Sequence, residues 1–146
     1  MPMTVPSELF LQYGLLGVFI ASLLGGTLLP LASELVLLAA LSMGLPWLSV
    51  LVMAGLGNSI AVGINYLMGY YALAWIQRNF PIPEKIWNRA HRYGWPVLAV
   101  SWVPIIGDPI TLAAGAFRFH WISMIVLAMP LRWIRYVLIS LPWIYF

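Results

Sequence analysis

Four apolar stretches are strung along the chain, and what interrupts them differs from one to the next. The first, 14–44, is cut by Gly25, Gly26 and Pro30. The second, 46–76, has no proline after its first residue. A polar interval follows, QRNFPIPEKIWNRAHRYG (77–94). The third stretch, 95–117, is cut by PIIGDP (104–109), and the fourth, 121–146, contains Pro130 and Pro142. At 1.5 Å per residue the second stretch would reach about 46 Å, against a hydrocarbon core of about 30 Å. It and the fourth are predicted to span a bilayer, with tilt or protrusion absorbing the surplus.

The third stretch reads differently. Arg92 precedes it and Arg118 follows it, and the positive-inside rule assigns both ends to the cytoplasmic side. Two prolines, a glycine and an aspartate interrupt its middle, leaving arms of about ten residues, or half a bilayer. A re-entrant hairpin satisfies these observations, with its tip at Pro104, Gly107 and Pro109. Backbone of that kind is tolerated at depth only where protein or water covers it. The first stretch has the same design, with arms 14–29 and 31–44 meeting at Pro30.

A shift of 74 residues superimposes the two halves. PLASE (30–34) falls on PIIGD (104–108), Ala39-Ala40 on Ala113-Ala114 and Trp47 on Trp121. Nine of the thirty-one positions in 30–60 are identical to their counterparts in 104–134. The expected fold is all-α: a single membrane domain of two inverted repeats, each a re-entrant helical hairpin followed by a transmembrane helix. The repeats cover about 7–76 and 93–146, joined by a cytoplasmic basic linker, 77–92. Binding sites in proteins of this plan form at the midplane, where broken helices meet.

Composition agrees with a lipid environment. The chain is 63% hydrophobic and 8% charged, with eight tryptophans, whereas soluble domains run at about a quarter charged. There are no cysteines, and His91 and His120 stand far apart, so neither a metal site nor a cofactor is expected. The net charge of +3 arises from basic residues flanking apolar runs, which points to membrane topology and anionic lipid rather than nucleic acid. No soluble partner is inferred. No Lys or Arg precedes the first apolar run, so no secretory signal is expected.

The candidate chemistry lies at the predicted hairpin tips. Glu34 and Asp108 are carboxylates in apolar surroundings, where an isolated charge costs about 2.5–3.5 kcal/mol on insertion scales. Arg132 and Arg135 share one helical face at i, i+3, and Arg132 aligns with Asn58 under the repeat. A midplane cluster of Glu34, Asp108, Arg132 and Arg135, joined by Asn58 and Asn65, is therefore expected. The carboxylates would couple protons or ions, and the arginines would grip an anionic group such as a phosphate. The plain alternative is that the charges only fasten the hairpins together. Gly55, Ser59 and Gly63 form a small-residue stripe for close helix packing. Tyr66, Tyr70, Tyr71 and Trp75 read as an interfacial belt, and Arg78, Lys85, Arg89, Arg92 and Arg118 as a basic rim. PEKIWNRAHRYG is expected to form a short amphipathic surface helix. No hydrolase or nucleotide-binding motif is present, so no enzyme is expected.

With TLLPLASELVLLAAL, GNSIAVGINYLMG, RYGWPVLAVSWVPIIGDPITLAAG and RWIRYVLI in view, the chain resembles the YqaA branch of the DedA family of bacterial inner-membrane proteins, which carry the VTT domain. The resemblance covers nearly the whole chain. It implies two opposed re-entrant hairpins in the bacterial inner membrane and a role in moving lipids, in some relatives a phosphorylated polyprenyl carrier with proton dependence. Glu34 matches the family's first-hairpin acid by position. The second hairpin departs from the pattern: the family places arginines there, whereas VSWVPIIGDP has none and carries Asp108. Arg132 and Arg135 of the next helix are the available substitutes. The chain is shorter than typical members, and a homodimer is the expected cover for the wall that their final helix provides.

Overall fold

The computed structural model describes residues 7–28, 32–81, 83–103 and 106–145. Among these residues the chain is helical, with no strand: α1 (Ser7–Leu28), α2 (Ala32–Ser42), α3 (Trp47–Asn79), α4 (Glu84–Ala99), a 3₁₀ turn (Val100–Trp102), α5 (Gly107–Ala116), α6 (Trp121–Ser140) and a last turn, α7 (Pro142–Tyr145). Among the described residues, two helices, α3 and α6, are long and apolar enough to cross a membrane. They measure about 50 Å and about 30 Å. α2 and α5 have 11 and 10 residues, about half a bilayer each.

Several boundaries differ from those read in the sequence. α1 begins at Ser7, seven residues before the expected Gly14, and its 22 residues reach about 33 Å. The polar interval is not an independent surface helix, because α4 runs from Glu84 through Gly94 and Pro96 to Ala99. A helix-breaking residue costs about 1–3 kcal/mol, which tertiary contacts can offset. Gly94 illustrates this: a Cβ there would overlap the Phe119 ring, so the glycine lets α4 pack closely at the end of α5. Only residues 80–83 separate α3 from α4, so most of the predicted linker is helical.

Pro130 is absorbed in another way. It has no N–H and its ring crowds the preceding turn. The turn widens into a π segment over Met124–Ala128, where the Met129 N–H donates to the Met124 carbonyl, and α6 continues.

α3 is the central helix. Its first half runs parallel to α1, with Gly57 against Phe19 and Leu23, and with Gly26 of α1 against Asn58 and Ala61. Its second half runs parallel to α5. A Cβ on Gly69 would collide with the Leu112 carbonyl, and one on Gly115 with the Tyr66 carbonyl. Backbone approach of this kind is how membrane helices gain packing energy where lipid already solvates apolar side chains. α1 and α2 lie antiparallel, as do α4 and α5. α2 packs on α6, where Leu37, Leu41 and Tyr136 share one core.

Two helices end on left-handed residues. Gly44 has φ 83° and Arg118 φ 55°. After α2, Gly44 N–H donates to Leu41 O and Leu45 N–H to Ala40 O; after α5, Arg118 N–H donates to Gly115 O and Phe119 N–H to Ala114 O. Both are Schellman ends, a motif that usually places glycine at the left-handed position. Arg118 fills that position with a side chain, at a cost of about 1 kcal/mol.

Polarity is distributed as lipid demands. Leu48, Val52, Leu56 and Ile60 make an exposed stripe at four-residue spacing along α3, while Ser22, Asn58, Asn65, Ser101, Thr111 and Arg132 are buried. Long apolar side chains facing outward around a polar interior mark a protein whose surroundings are hydrocarbon.

Candidate functional site: a buried charge cluster

Both acids lie in the first turn of a short helix, Glu34 in α2 and Asp108 in α5. Unsatisfied N–H groups make a helix N-terminus electropositive, which favours a carboxylate there. Arg132 and Arg135 are brought to them by α6. Arg135 Nη2 lies 2.8 Å from Glu34 Oε1, and Arg132 Nη1 lies 2.7 Å from Asp108 Oδ1. Glu34, Arg132 and Arg135 are buried, and Asp108 is partly covered. The four charges cancel formally.

Asn58 of α3 stands between them. Its Oδ1 accepts from Arg132 Nη1 at 2.8 Å, and its Nδ2 donates to Tyr136 Oη at 2.5 Å. Arg135 Nη1 donates to the Trp102 carbonyl at 3.0 Å, tying the cluster to the 3₁₀ turn. Gly107 permits the local backbone path, since a Cβ there would strike the Ser101 carbonyl. Alongside, Trp133 Nε1 donates to Ser59 Oγ at 3.0 Å, and the Trp133 indole lies over Gly55.

Each ion pair engages one terminal nitrogen of its arginine. Arg132 Nε and Nη2 and Arg135 Nε have no hydrogen-bond partner among the described residues. A guanidinium offers five N–H donors in a planar fork. Among the described residues, three buried donor nitrogens of the two arginines are thus left without a partner. Such donors are suited to the oxygens of a phosphate or carboxylate.

Most of the expected cluster is assembled: Glu34, Asp108, Arg132, Arg135 and Asn58. Asn65 is not part of it. Its Nδ2 donates to the Gly26 carbonyl at 2.9 Å, about two turns along α3, so it joins α3 to the end of α1. Gly55 and Ser59 pack as expected, but Gly63 does not, because a Cβ there would meet open space. Gly57 and Gly69 make the close approaches instead. Pro30 and Pro104 lie outside the described residues; Gly107 and Pro109 belong to the first turn of α5. Tyr136 was not apparent as a cluster member from sequence. It lies four residues after Arg132 on the same face, and that spacing was the available signal.

The fold and this site define an all-helical membrane protein with an ion-paired polar centre. Over 134 residues the chain is 36% identical to the inner membrane protein YqaA of Escherichia coli (strain K12), covering 86% of this chain and 88% of that one. The same values hold for the inner membrane protein YqaA of Shigella flexneri. An uncharacterized protein of Haemophilus influenzae is 27% identical over 139 residues, covering 86% of this chain and 87% of its own length. The chain belongs to the YqaA family of DedA-type membrane proteins. No family model and no solved structure matches it.

Proposed function

We propose that the protein moves a phosphate-bearing lipid, a phosphorylated polyprenyl or a phospholipid, across the inner membrane, and that Glu34 and Asp108 couple this movement to protons. The observation that carries the reading is the set of unused guanidinium donors buried between the first turns of two half-bilayer helices. Protonation of a carboxylate weakens its hold on its arginine and releases the fork for a phosphate. Deprotonation restores the pair and expels the anion. An arrangement that only fastened helices would be better served by fully partnered guanidinium forks or apolar packing.

The mechanism rests on two opposed re-entrant hairpins, α1–α2 and α4–α5, related by an inverted repeat. Three details support that plan. Two side-chain hydrogen bonds join residues 74 positions apart, Asn58 with Arg132 and Ser59 with Trp133. This is the offset found in the sequence, and equivalent residues meet where a two-fold axis passes between repeats. Gly44 and Arg118, the left-handed residues ending α2 and α5, are separated by the same offset. α2 packs along α6 while α5 packs along α3, so each hairpin leans on the long helix of the other repeat.

The test is lipid movement in sealed liposomes containing the purified protein, with labelled phospholipid and labelled polyprenyl phosphate, with and without a pH gradient. The parent is expected to accelerate one label. Glu34→Gln and Asp108→Asn are expected to lose the pH dependence while remaining folded. If neither label moves with well-folded parent protein, the lipid reading fails.

A further inference from the structure

Away from the charge cluster, at the end of the molecule that carries the basic rim, α4 and the 118–123 segment line a half-open cavity of about 500 Å³. This is the size range of small-ligand sites. Its wall includes His91, Trp95, Arg118 and His120. We infer that this cavity is a second anion site, which takes the phosphate headgroup of a lipid at the membrane surface.

Arg118 is the first reason. It occupies a left-handed helix end at which its counterpart after α2 is glycine. Glycine would close the same motif without strain, so the sequence keeps a cation where the backbone disfavours any side chain. The guanidinium is also held in place, with Cζ 4.8 Å from the Tyr70 ring centre. An arginine already positioned loses less freedom on binding an anion than one free in solvent.

The histidines are the second reason. His91 Nδ1 is 3.0 Å from the Trp87 carbonyl, and since a carbonyl only accepts, Nδ1 carries the hydrogen. Nε2 is then available to accept from the P–OH of a phosphate monoester or, once protonated, to donate to its oxygens. The His91 ring is fixed further by edge contact with Phe119, at 5.5 Å between centres.

The third reason concerns the rest of the lipid. The next residues of α6, Trp121, Met124 and Ile125, line a separate apolar groove of about 480 Å³ against Val62 and Leu67 of α3. Tyr66, whose hydroxyl donates to the Phe119 carbonyl, touches this groove, while Phe119 walls the first cavity. A headgroup among His91, Arg118 and His120 thus has an acyl-chain path beside it. The exposed indoles of Trp95 and Trp121 suit the depth of the interface.

This site extends the transport reading by giving the lipid a landing point, but equilibrium binding tests it without any transport. The full chain in detergent would be titrated by calorimetry with dioctanoyl phosphatidate, dioctanoyl phosphatidylcholine and inorganic phosphate. Saturable binding of phosphatidate over phosphatidylcholine is expected. Arg118→Gly should weaken it at least tenfold while leaving the melting temperature equal or higher, because glycine suits the left-handed end. His91→Gln with His120→Gln should also weaken it, and Arg78→Gln, on the rim outside the cavity, should change it less than twofold. Binding of inorganic phosphate with matching affinity would identify the ligand as the phosphate group itself. Absence of saturable phosphatidate and phosphate binding overturns the inference. So does an Arg78→Gln loss equal to that of Arg118→Gly, which would mark diffuse charge rather than a site.

Discussion

The pair Glu34–Arg135 offers a way to separate fastening from function. Their side chains are 10% and 8% exposed, so removing one partner leaves the other charge without compensation in a dry place. Breaking such a pair costs about 3–5 kcal/mol. Glu34→Leu is expected near the low end, because neighbouring Arg132 and Asp108 already balance each other. Arg135→Met is expected to be somewhat worse, because it also orphans the Trp102 carbonyl that Arg135 Nη1 now satisfies. An unsatisfied buried acceptor costs about 1–3 kcal/mol. The double replacement removes both charges and fills the space with apolar atoms, so only the orphaned carbonyl should count against it. The coupling energy should therefore be about 3 kcal/mol or more, well above that of exposed pairs. Unfolding in mixed micelles with increasing SDS would measure it for the parent, both single variants and the double variant. If the two losses add without coupling, the buried pair is refuted. Lipid movement by the double variant then separates the roles. Restored stability with no movement shows that the charges work, whereas restoration of both shows that they only fasten.

Further expectations concern packing and the neutral members of the cluster. Tyr136→Phe removes the acceptor of the Asn58 Nδ2 bond at a fully buried position and should lower stability by about 1–3 kcal/mol in the same assay. Stability equal to the parent would mean that Asn58 finds another acceptor. Gly69→Ala and Gly115→Ala each drive a methyl group into a facing backbone carbonyl and should cost about 1–3 kcal/mol or prevent folding, whereas Gly63→Ala should be neutral or slightly stabilising. Equal effects at the three glycines would contradict the described α3–α5 contact.

Much of this was legible in the chain. The acids and arginines stand out because charge in an apolar run is expensive, and expense of that kind calls for a partner. The chain alone therefore links Glu34 and Asp108 to Arg132 and Arg135. That α3 and α6 are long enough to span followed from the length of their apolar runs, which depends on composition and needs no fold. Breakers were less reliable guides. Pro109 lies in the first turn of α5, Pro96 within α4 and Pro130 within α6, where a wider turn absorbed it.

What the sequence by itself determined is the solvent, the helical class, the two long helices and the need for a paired polar centre, since each follows from the local cost of placing a residue type in hydrocarbon. Only the tertiary structure decided who pairs with whom: Glu34 with Arg135 rather than Arg132, Asn58 inside the cluster and Asn65 outside it, Gly69 as a contact and Gly63 as open space. Residues one helical turn apart look alike along the chain. Which of them meets a partner depends on how the helices are rotated and how closely they approach, and the packing of the whole bundle sets both.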